Sequence, residues 1–309
     1  MKKISVVTPT YNEQDNVAGV VEEIRKVFRD LPQYDYEHLF IDNASHDRTV
    51  EILKGYAAQD QHIKIIVNTR NFGITCSPHH AVLQTSGDAV TVVVADLQDP
   101  PDLIKDFIRK WEEGYKIVIG IKSKSEENWI MFTIRKVYYS MLKKFADVEM
   151  IKNFNGYGLY DRTFIDILRQ WNDPYPYFRG LVAEVGFPRA ELVYTQAARK
   201  KGMSSSSFYK LYEIGMLGFV SHSKVPLRLA SFIGFGVSVI SFIFAIIYLV
   251  RKLLLWDSFE LGLAPLVIGL FFFGSIQLFF IGIIGEYIGW IYTQVKHRPL
   301  VVEKERINF

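Results

Sequence analysis

The segment Ile4-Ser5-Val6-Val7-Thr8-Pro9-Thr10-Tyr11-Asn12-Glu13, close to the start of the chain, points to the fold class. Its first five residues form a short apolar run, which is typical of a buried strand. Apolar residues then recur at helical spacing: Val17, Val20, Val21, Ile24, Val27 and Phe28. A buried strand followed directly by an amphipathic helix predicts the first half of a βαβ unit.

The same alternation of strand and helix patterns continues to about residue 125. Further strands are predicted at residues 36–41, 63–67, 89–95 and 116–121, with helices between them. This order predicts an α/β fold with a mostly parallel sheet covered by helices on both faces. Ligands of such sheets bind beyond the carboxyl ends of the strands, and Thr8, Asp42 and Asp96 each stand at such an end. We therefore expect the site at that edge.

Composition excludes several classes of protein. The 309 residues carry a formal charge of +3, which is too weak to argue for a nucleic-acid partner. Cys76 is the single cysteine, so no intrachain disulfide is possible. The first 20 residues include Asn12, Glu13 and Asp15 and no long apolar run, which argues against a signal peptide.

Two apolar segments near the C-terminus predict membrane-spanning helices. Residues 232–250 and 261–285 lack charged side chains, and each is close to or above the roughly 20 residues that a bilayer requires. Basic residues flank the outer ends more heavily than the short loop between them. The positive-inside rule then places both termini in the cytoplasm. The two segments predict a hairpin rather than a pore.

Two other stretches have amphipathic patterns. Residues 129–145 interleave apolar side chains with bases, including Arg135, which suits a membrane surface with anionic headgroups. Residues 208–219, just before the first apolar segment, fit a membrane surface or packing on the soluble domain about equally well.

Four motifs follow the first four predicted strands in order. They are Pro9-Thr10-Tyr11-Asn12-Glu13, Asp42-Asn43-Ala44-Ser45 with Asp47 and Thr49, Arg70-Asn71-Phe72-Gly73, and Ala95-Asp96-Leu97-Gln98-Asp99-Pro100-Pro101. The pattern continues through Phe178-Arg179-Gly180-Leu181 and Pro226-Leu227-Arg228. This arrangement resembles the family 2 glycosyltransferases, and in particular the polyprenyl-phosphate hexosyltransferases. The resemblance covers nearly the whole chain and implies a GT-A-like, Rossmann-like domain followed by two transmembrane helices.

The resemblance also assigns site residues. It implies that Pro9, Tyr11, Glu13, Asp42, Arg70 and Asp96 bind the donor nucleotide, a UDP-sugar or GDP-sugar. It implies that Asp96 and Gln98 are catalytic and hold Mg²⁺ or Mn²⁺, because carboxylate and amide oxygens with substrate phosphates suit such ions. It implies that Lys122, Lys124, Arg135 and Arg179 bind the acceptor phosphate. A solvated basic face is the alternative for the two lysines, and a helix cap is the alternative interpretation of Asp99.

Cys76, His79 and His80 offer too few ligands for a metal site, so packing or surface roles are expected for them.

The chain departs from the family pattern at three places. Asn43 stands where an acid is usual, Val94 stands at the first position of the usual Asp-x-Asp motif, and residues 153–159 lack the acid that many relatives carry. A sugar hydroxyl acceptor needs a general base, whereas a phosphate monoester has a second pKa of about 6 and is mostly dianionic at neutral pH. The missing acid therefore favours a lipid-phosphate acceptor.

These observations predict an inverting transfer of a hexose, with glucose as the first guess, from a nucleotide diphospho-sugar to a polyprenyl phosphate such as undecaprenyl phosphate. The expected domains are a cytoplasmic nucleotide-sugar domain (1–203), a juxtamembrane segment (204–225), a membrane hairpin (226–295) and a cytoplasmic tail (296–309). An integral protein of a bacterial-type inner membrane, assembled as a homo-oligomer and by family analogy a tetramer, is expected. The alternatives are a transferase to a lipid hydroxyl and a degenerate, membrane-tethered subunit that binds sugar nucleotides without turnover.

Overall fold

A computed structural model describes residues 1–123, 151–196, 225–254, 263–296 and 298–309. The strands are β1 (Lys2–Thr10), β2 (Tyr34–Asp42), β3 (Ile63–Asn68), β4 (Ala89–Val92), β5 (Ile117–Lys122), β6 (Phe154–Asp161), β7 (Arg189–Tyr194) and β8 (Glu303–Ile307). The helices are α1 (Val17–Arg29), α2 (Thr49–Ala57), α3 (Gly73–Gln84), α4 (Leu103–Glu112), α5 (Arg162–Trp171), α6 (Phe178–Glu184), α7 (Val225–Leu254) and α8 (Leu263–Val295).

The eight strands form one sheet in the order β7-β5-β6-β4-β1-β2-β3-β8. β1 pairs in parallel with β2 and β4, β2 pairs in parallel with β3, and β5 pairs in parallel with β7. β6 is antiparallel to both β4 and β5, and β8 is antiparallel to β3. The mostly parallel α/β sheet expected from the sequence is confirmed, although β4 ends at Val92, three residues earlier than predicted.

Helices cover both faces of the sheet, so the central strands are buried on both sides and lack an alternating polar pattern. Ile4 and Val6 of β1 face a core built with α1, α2 and α4. Val7, between them and the strand end, faces a second core built with α3, α5 and α6. The two cores fix the strand ends against each other, and these ends carry the candidate site.

β8 is an edge strand that the sequence analysis did not predict. It follows α8 and pairs with β3, with Ile307 opposite Ile65. The chain before it is held too, because Val301 is buried and the Thr69 backbone N–H donates to the Val302 carbonyl at 2.9 Å. On its outer side Glu303 contacts His80 of α3 at 2.5 Å. The C-terminal segment is therefore part of the sheet domain.

α7 and α8 expose large apolar side chains along their length. Phe232 is 74% exposed and Leu278 is 70% exposed, which is unusual for the surface of a soluble protein. Within the described residues, Phe272–Val295 is long and apolar enough to cross a membrane, and Ala230–Phe244 is a shorter apolar stretch.

The far end of α8 touches the sheet domain. Gln294 Nε2 donates to Asp173 Oδ1 at 3.1 Å, and the rings of Trp290 and Tyr175 meet edge to face at 6.3 Å.

Candidate active site

The carboxyl ends of β1 and β2 lie side by side. Thr10 and Asp42 are directly paired at the last position of the two strands. These two strand ends and the loop after β1 carry four of the six residues predicted to bind the donor: Pro9, Tyr11, Glu13 and Asp42. Register in a parallel pair thus brings together side chains that are some 30 residues apart in the sequence.

Asp42 is fully buried and organises the β2–α2 loop. Its carboxylate accepts from the Ser45 backbone N–H at 2.8 Å, from Ser45 Oγ at 2.5 Å and from Thr10 Oγ1 at 3.3 Å. Burial raises the pKa of Asp42, while the hydrogen bonds from Ser45 and Thr10 oppose that rise. Asp42 therefore fixes the shape of the β2–α2 loop, at the edge where Tyr11, Glu13, Asp42 and Arg70 are predicted to bind the donor (the donor edge).

The loops after β1 and β2 brace each other. Asn12, which has a positive φ of 55°, donates its backbone N–H to Ser45 Oγ and accepts from the His46 backbone N–H through Oδ1, both at 2.9 Å. The Glu13 backbone N–H donates to Thr49 Oγ1 at 2.8 Å. These cross-links hold the whole loop pair in one shape, so the donor edge is preorganised.

Tyr11 stands on this braced loop and is 41% exposed. Its ring lies 6.5 Å from the ring of His46, edge to face. An exposed aromatic ring on a rigid loop suits stacking against a nucleobase. His46 was not among the sequence candidates, and its only signal was its place in the motif beside Ser45.

Three other predicted donor residues lie at or near the same edge: Glu13, Arg70 and Pro9. Glu13 Oε2 accepts from Asn16 Nδ2 at 2.6 Å at the start of α1. Arg70 is exposed, and its guanidinium lies 3.9 Å from the centre of the Phe72 ring. Pro9 lies within β1, opposite Ile41.

Asn43, which replaces the usual acid, is the centre of a buried amide network. Its Nδ2 donates to Asn71 Oδ1 at 3.0 Å and to the Gly73 carbonyl at 3.1 Å. Its Oδ1 accepts from the Phe72 backbone N–H at 2.9 Å and from Asn68 Nδ2 at 3.2 Å. A carboxylate has no N–H to donate, so only an amide satisfies both sides of this network.

Asp96 and Gln98 lie in the loop between β4 and α4. Leu97 between them has a positive φ of 53°, and the Gln98 backbone N–H donates to Asp96 Oδ1 at 3.2 Å. Asp96 and Gln98 are partly exposed, and Val94, at the position of the usual first acid, is 36% exposed. Among the described residues no group of three or more His, Cys, Asp or Glu side chains is placed to hold a metal ion.

Asp99 is not the helix cap considered from the sequence, because Asp102 directly precedes α4. Asp99 is instead buried, and its carboxylate accepts from Asn155 Nδ2 at 2.8 Å and from Tyr194 OH at 2.5 Å. The alternative interpretation of Asp99 as a cap is therefore wrong.

The candidate acceptor residues are only partly described. Lys122, the last residue of β5, donates from Nζ to Gln196 Oε1 at 2.8 Å. Arg179 is in the first turn of α6, next to Phe178. A Cβ placed on Gly156 would lie 3.7 Å from the Phe178 ring, so α6 begins beside β6. Lys124 and Arg135, and the amphipathic stretches 129–145 and 208–219, lie outside the described residues.

Asp161 and the histidine pair have contacts of their own. Asp161 caps α5 by accepting from the Thr163 backbone N–H, and it also accepts from Trp111 Nε1 at 2.7 Å. Cys76 and His79 are buried, and burial lowers the pKa of His79 to about 4. His80 contacts Glu303 of β8. These contacts are structural, as expected for the two histidines and the cysteine.

The sequence matches the model of a known enzyme family over more than half of the chain. Residues 5–168 match the family model described as Glycosyl transferase family 2, so the chain belongs to glycosyltransferase family 2. The GT-A-like α/β fold and the resemblance to this family are thereby confirmed.

The sequence similarity to other proteins extends over nearly the whole chain. A Bacillus subtilis (strain 168) protein named uncharacterized glycosyltransferase YkcC is 34% identical over 96% of this chain and 92% of its own length. The bactoprenol glucosyl transferase of Shigella phage SfV is 30% identical over 98% of each chain. Among solved structures, the Pyrobaculum calidifontis mannosyltransferase PcManGT in complex with GDP-Man and Mn²⁺ covers 72% of this chain and 61% of its own, with 19% identity and a TM-score of 0.46.

Proposed function

We propose that the protein transfers a hexose, with glucose as the first candidate, from a nucleotide diphospho-sugar to a polyprenyl phosphate at the cytoplasmic face of a membrane. The observation that carries the proposal is the near full-length similarity to relatives named bactoprenol glucosyl transferase, which extends through both apolar helices. The site geometry supports the proposal in two ways. The loops of the donor edge are held by hydrogen bonds, and Lys122 at the end of β5 offers a positive charge for the acceptor phosphate.

The donor would bind across the ends of β1, β2 and β4. Tyr11 offers its ring to the base, and the loops held by Asp42 and Asn12 keep that ring in place. Glu13 and Arg70 lie on the same edge, beside the ribose and diphosphate. Because these loops are cross-linked before the donor arrives, little ordering entropy is lost on binding.

Asp96 and Gln98 fit a divalent cation. Mg²⁺ and Mn²⁺ bind to one or two protein oxygens together with substrate phosphates and waters, so a single carboxylate with a neighbouring amide is a sufficient protein contribution. When bound, the ion would neutralise charge on the departing diphosphate. The lost first acid at Val94 leaves Asp96 as the sole carboxylate of the motif.

The acceptor would attack without a protein base. Its phosphate is mostly dianionic at neutral pH, since the second pKa of a phosphate monoester is about 6. An oxygen of that dianion forms the new bond to the anomeric carbon from the face opposite the nucleoside diphosphate, while the bond from that carbon to the diphosphate oxygen breaks. The nucleoside diphosphate leaves with the bonding electrons, and the configuration inverts. Lys122 and Arg179, with Lys124 and Arg135, would hold the acceptor phosphate through charge-assisted hydrogen bonds.

A series of contacts supports entry of the acceptor from the membrane. The end of α8 touches Tyr175 through Trp290, and Phe178 three residues later lies beside Gly156 of β6. The neighbouring Asn155 bonds to Asp99 in the metal-candidate loop. Aromatic residues are enriched at membrane interfaces, which suits Trp290 and Tyr292 near the end of α8.

We also propose that α7 and α8 both span the membrane as a hairpin and that both termini are cytoplasmic. The pairing of β8 with β3 supports this, because the chain leaves the sheet domain before α7 and returns to it after α8. An even number of crossings is required for that return. The proposed limits are those predicted, 1–203, 204–225, 226–295 and 296–309, except that residues 296–309 include β8 and so belong to the sheet domain. A homotetramer in a bacterial inner membrane is part of the proposal, and light scattering of the purified protein tests it.

The decisive experiment is a donor panel. Purified protein in detergent is given UDP- and GDP-sugars with Mg²⁺ or Mn²⁺ and undecaprenyl phosphate, and the lipid-linked product is followed. One sugar should appear on the lipid phosphate with inverted anomeric configuration, which NMR of the product shows. Transfer to diacylglycerol but not to the phosphate would support the lipid-hydroxyl alternative. Binding of a sugar nucleotide with no turnover in any arm would support the degenerate subunit.

A further inference from the structure

Asp99 is a buried carboxylate that the proposed reaction does not use. It is 3% exposed. The described partners of its carboxylate are three neutral donors: Asn155 Nδ2 at 2.8 Å, Tyr194 OH at 2.5 Å and Gln196 Nε2 at 3.4 Å. Burying a carboxylate is costly unless hydrogen bonds compensate it. Its three donors come from β6, from β7 and from the segment just after β7, so the acid joins separate parts of the chain.

The contact with Asp99 sets which end of the Gln196 amide faces Lys122. An amide side chain has a donor end and an acceptor end. Because Gln196 turns its Nε2 toward the Asp99 carboxylate, its Oε1 faces outward and accepts from Lys122 Nζ at 2.8 Å. A neutral group at position 99 would allow the amide to turn over. Its NH₂ group would then face the ammonium of Lys122, which has no acceptor.

The same acid is fixed to the loop that carries the metal candidates. Asp99 directly follows Gln98, and Lys122 is the last residue of β5, paired with Tyr194 of β7. The Asp99 carboxylate therefore lies between the loop that carries Asp96 and Gln98 and the end of β5, which carries Lys122.

We propose that Asp99 is a positioning residue for the acceptor phosphate: through Gln196 it orients the ammonium group of Lys122. The inference rests on the proposed function, which places Lys122 at the acceptor. On this proposal the Asp99 carboxylate affects binding of the acceptor phosphate and does not affect binding of the nucleotide sugar.

The environment of Asn155 agrees with this role. Its Nδ2 donates to Asp99, and its Oδ1 accepts from the Tyr157 backbone N–H at 3.1 Å. An acid at position 155 would put a second carboxylate in hydrogen-bond contact with Asp99. The amide on β6 therefore completes the set of donors around the acid, and the acid itself is supplied by the loop after β4.

Steady-state kinetics on the full-length protein in detergent test the proposal. The variants are Lys122→Ala, Gln196→Leu, Asp99→Asn and the double variant D99N/Q196L. Loss of one hydrogen-bonded contact to a charged group corresponds to about a tenfold effect, so each single variant should raise the KM for undecaprenyl phosphate about tenfold. The KM for the nucleotide sugar should stay within about twofold. The acceptor KM of the double variant should be no higher than that of Q196L. Both changes break the same series of contacts, which runs from Asp99 through Gln196 to Lys122 (the relay).

Two matched controls separate positioning from general damage. Tyr194→Phe removes one hydrogen-bond donor from Asp99, as Q196L does, but leaves the contacts of Gln196 with Asp99 and Lys122 intact. Asp102→Asn removes a neighbouring acid whose partner is Lys105. Both should leave the acceptor KM unchanged. If Y194F matches Q196L, or if D99N raises both KM values alike, Asp99 is structural and the proposal is overturned. Should D99N fail to fold, the comparison of Q196L with Y194F still decides.

Binding distinguishes this inference from the proposed function. If the wild-type protein transfers no sugar, the proposed function fails, and farnesyl phosphate and UDP are then used as separate binding probes by calorimetry. Weaker farnesyl phosphate binding by K122A, Q196L and D99N, with UDP binding unchanged, supports the relay. Equal binding of farnesyl phosphate by wild type and variants overturns it.

Discussion

Replacing Asn43 by aspartate would restore the acid that family members carry, yet the structure predicts that it damages the fold. The substitution keeps the size of the side chain and removes the two hydrogen bonds from Nδ2 to Asn71 Oδ1 and the Gly73 carbonyl. Leaving a buried partner unsatisfied costs about 1–3 kcal/mol per group. Asn43 is buried, whereas Asn71 and Gly73 are exposed residues whose oxygens can bond to water, so we expect a total loss of about 2–4 kcal/mol at neutral pH, mostly from burying a carboxylate that faces two oxygens.

Thermal unfolding of the purified N43D variant measures this loss. One kcal/mol shifts the Tm of a large domain by about 2–4 °C, so the variant should melt roughly 5–10 °C below wild type. The introduced carboxylate faces two oxygens, so its pKa in the folded state should lie above its unfolded value. The deficit should therefore be full above that folded pKa and shrink as pH falls through it.

The exposed amide-to-acid change Gln61→Glu is the matched control and should shift the Tm little. A variant at position 43 that melts within about one degree of wild type at pH 7 would refute the reasoning. So would a deficit that is the same at pH 4 and pH 8.

Three further predictions concern other parts of the chain. Asp96→Asn should lower kcat at least about 100-fold, because it removes the carboxylate that we propose holds the metal. Asp161→Asn should cost about 1–3 kcal/mol of stability through its cap and Trp111 contacts yet retain most transfer per folded molecule. Equal losses of transfer in the two variants would contradict this. Glu37→Gln tests a pH effect: burial opposes the charge of Glu37, but bonds from Lys64, Ser5 and Ser86 prevail and lower its pKa from 4.5 to about 2. A depressed pKa gives stability that is present above about pH 4.5 and lost as pH falls toward about 2, so the wild-type advantage of about 3 kcal/mol in melting experiments should close across that window. Ile307→Asp should release β8 from β3 and make the bond after Lys304 accessible to trypsin, whereas Val302→Asp, at an exposed side chain just before the strand, should leave that cleavage slow.

The sequence predicted the parts of this protein that depend on local pattern. The strand and helix alternation before residue 125 and the motifs at the strand ends follow from apolar spacing and turn residues, and the fold confirms them. Asp99 shows the limit of such reasoning. Its partners are 56 to 97 residues away along the chain, and no local pattern distinguishes a cap from a carboxylate buried between strands.

β8 escaped prediction for a different physical reason. Its sequence, Glu-Lys-Glu-Arg-Ile, is almost wholly charged, as is common for a strand at the solvent-exposed edge of a sheet. Its stability comes from pairing with β3 and from contacts with residues such as His80, which depend on the completed fold. The departure at Asn43 is visible in the sequence, but its cause is the amide network, which only the structure reveals.

The return of the chain to the sheet has a mechanical consequence. A catalytic domain joined to a membrane by one linker can swivel, and its distance from the lipid surface varies with the linker. Here the segment between β7 and β8, which contains both apolar helices, is a loop inserted into a single sheet, and α8 also rests on the domain through Trp290 and Gln294. A domain attached to a membrane both before α7 and after α8 can rotate about only one axis. If α7 and α8 form the proposed membrane hairpin, the distance between the membrane surface and the candidate site would be a fixed dimension of the protein.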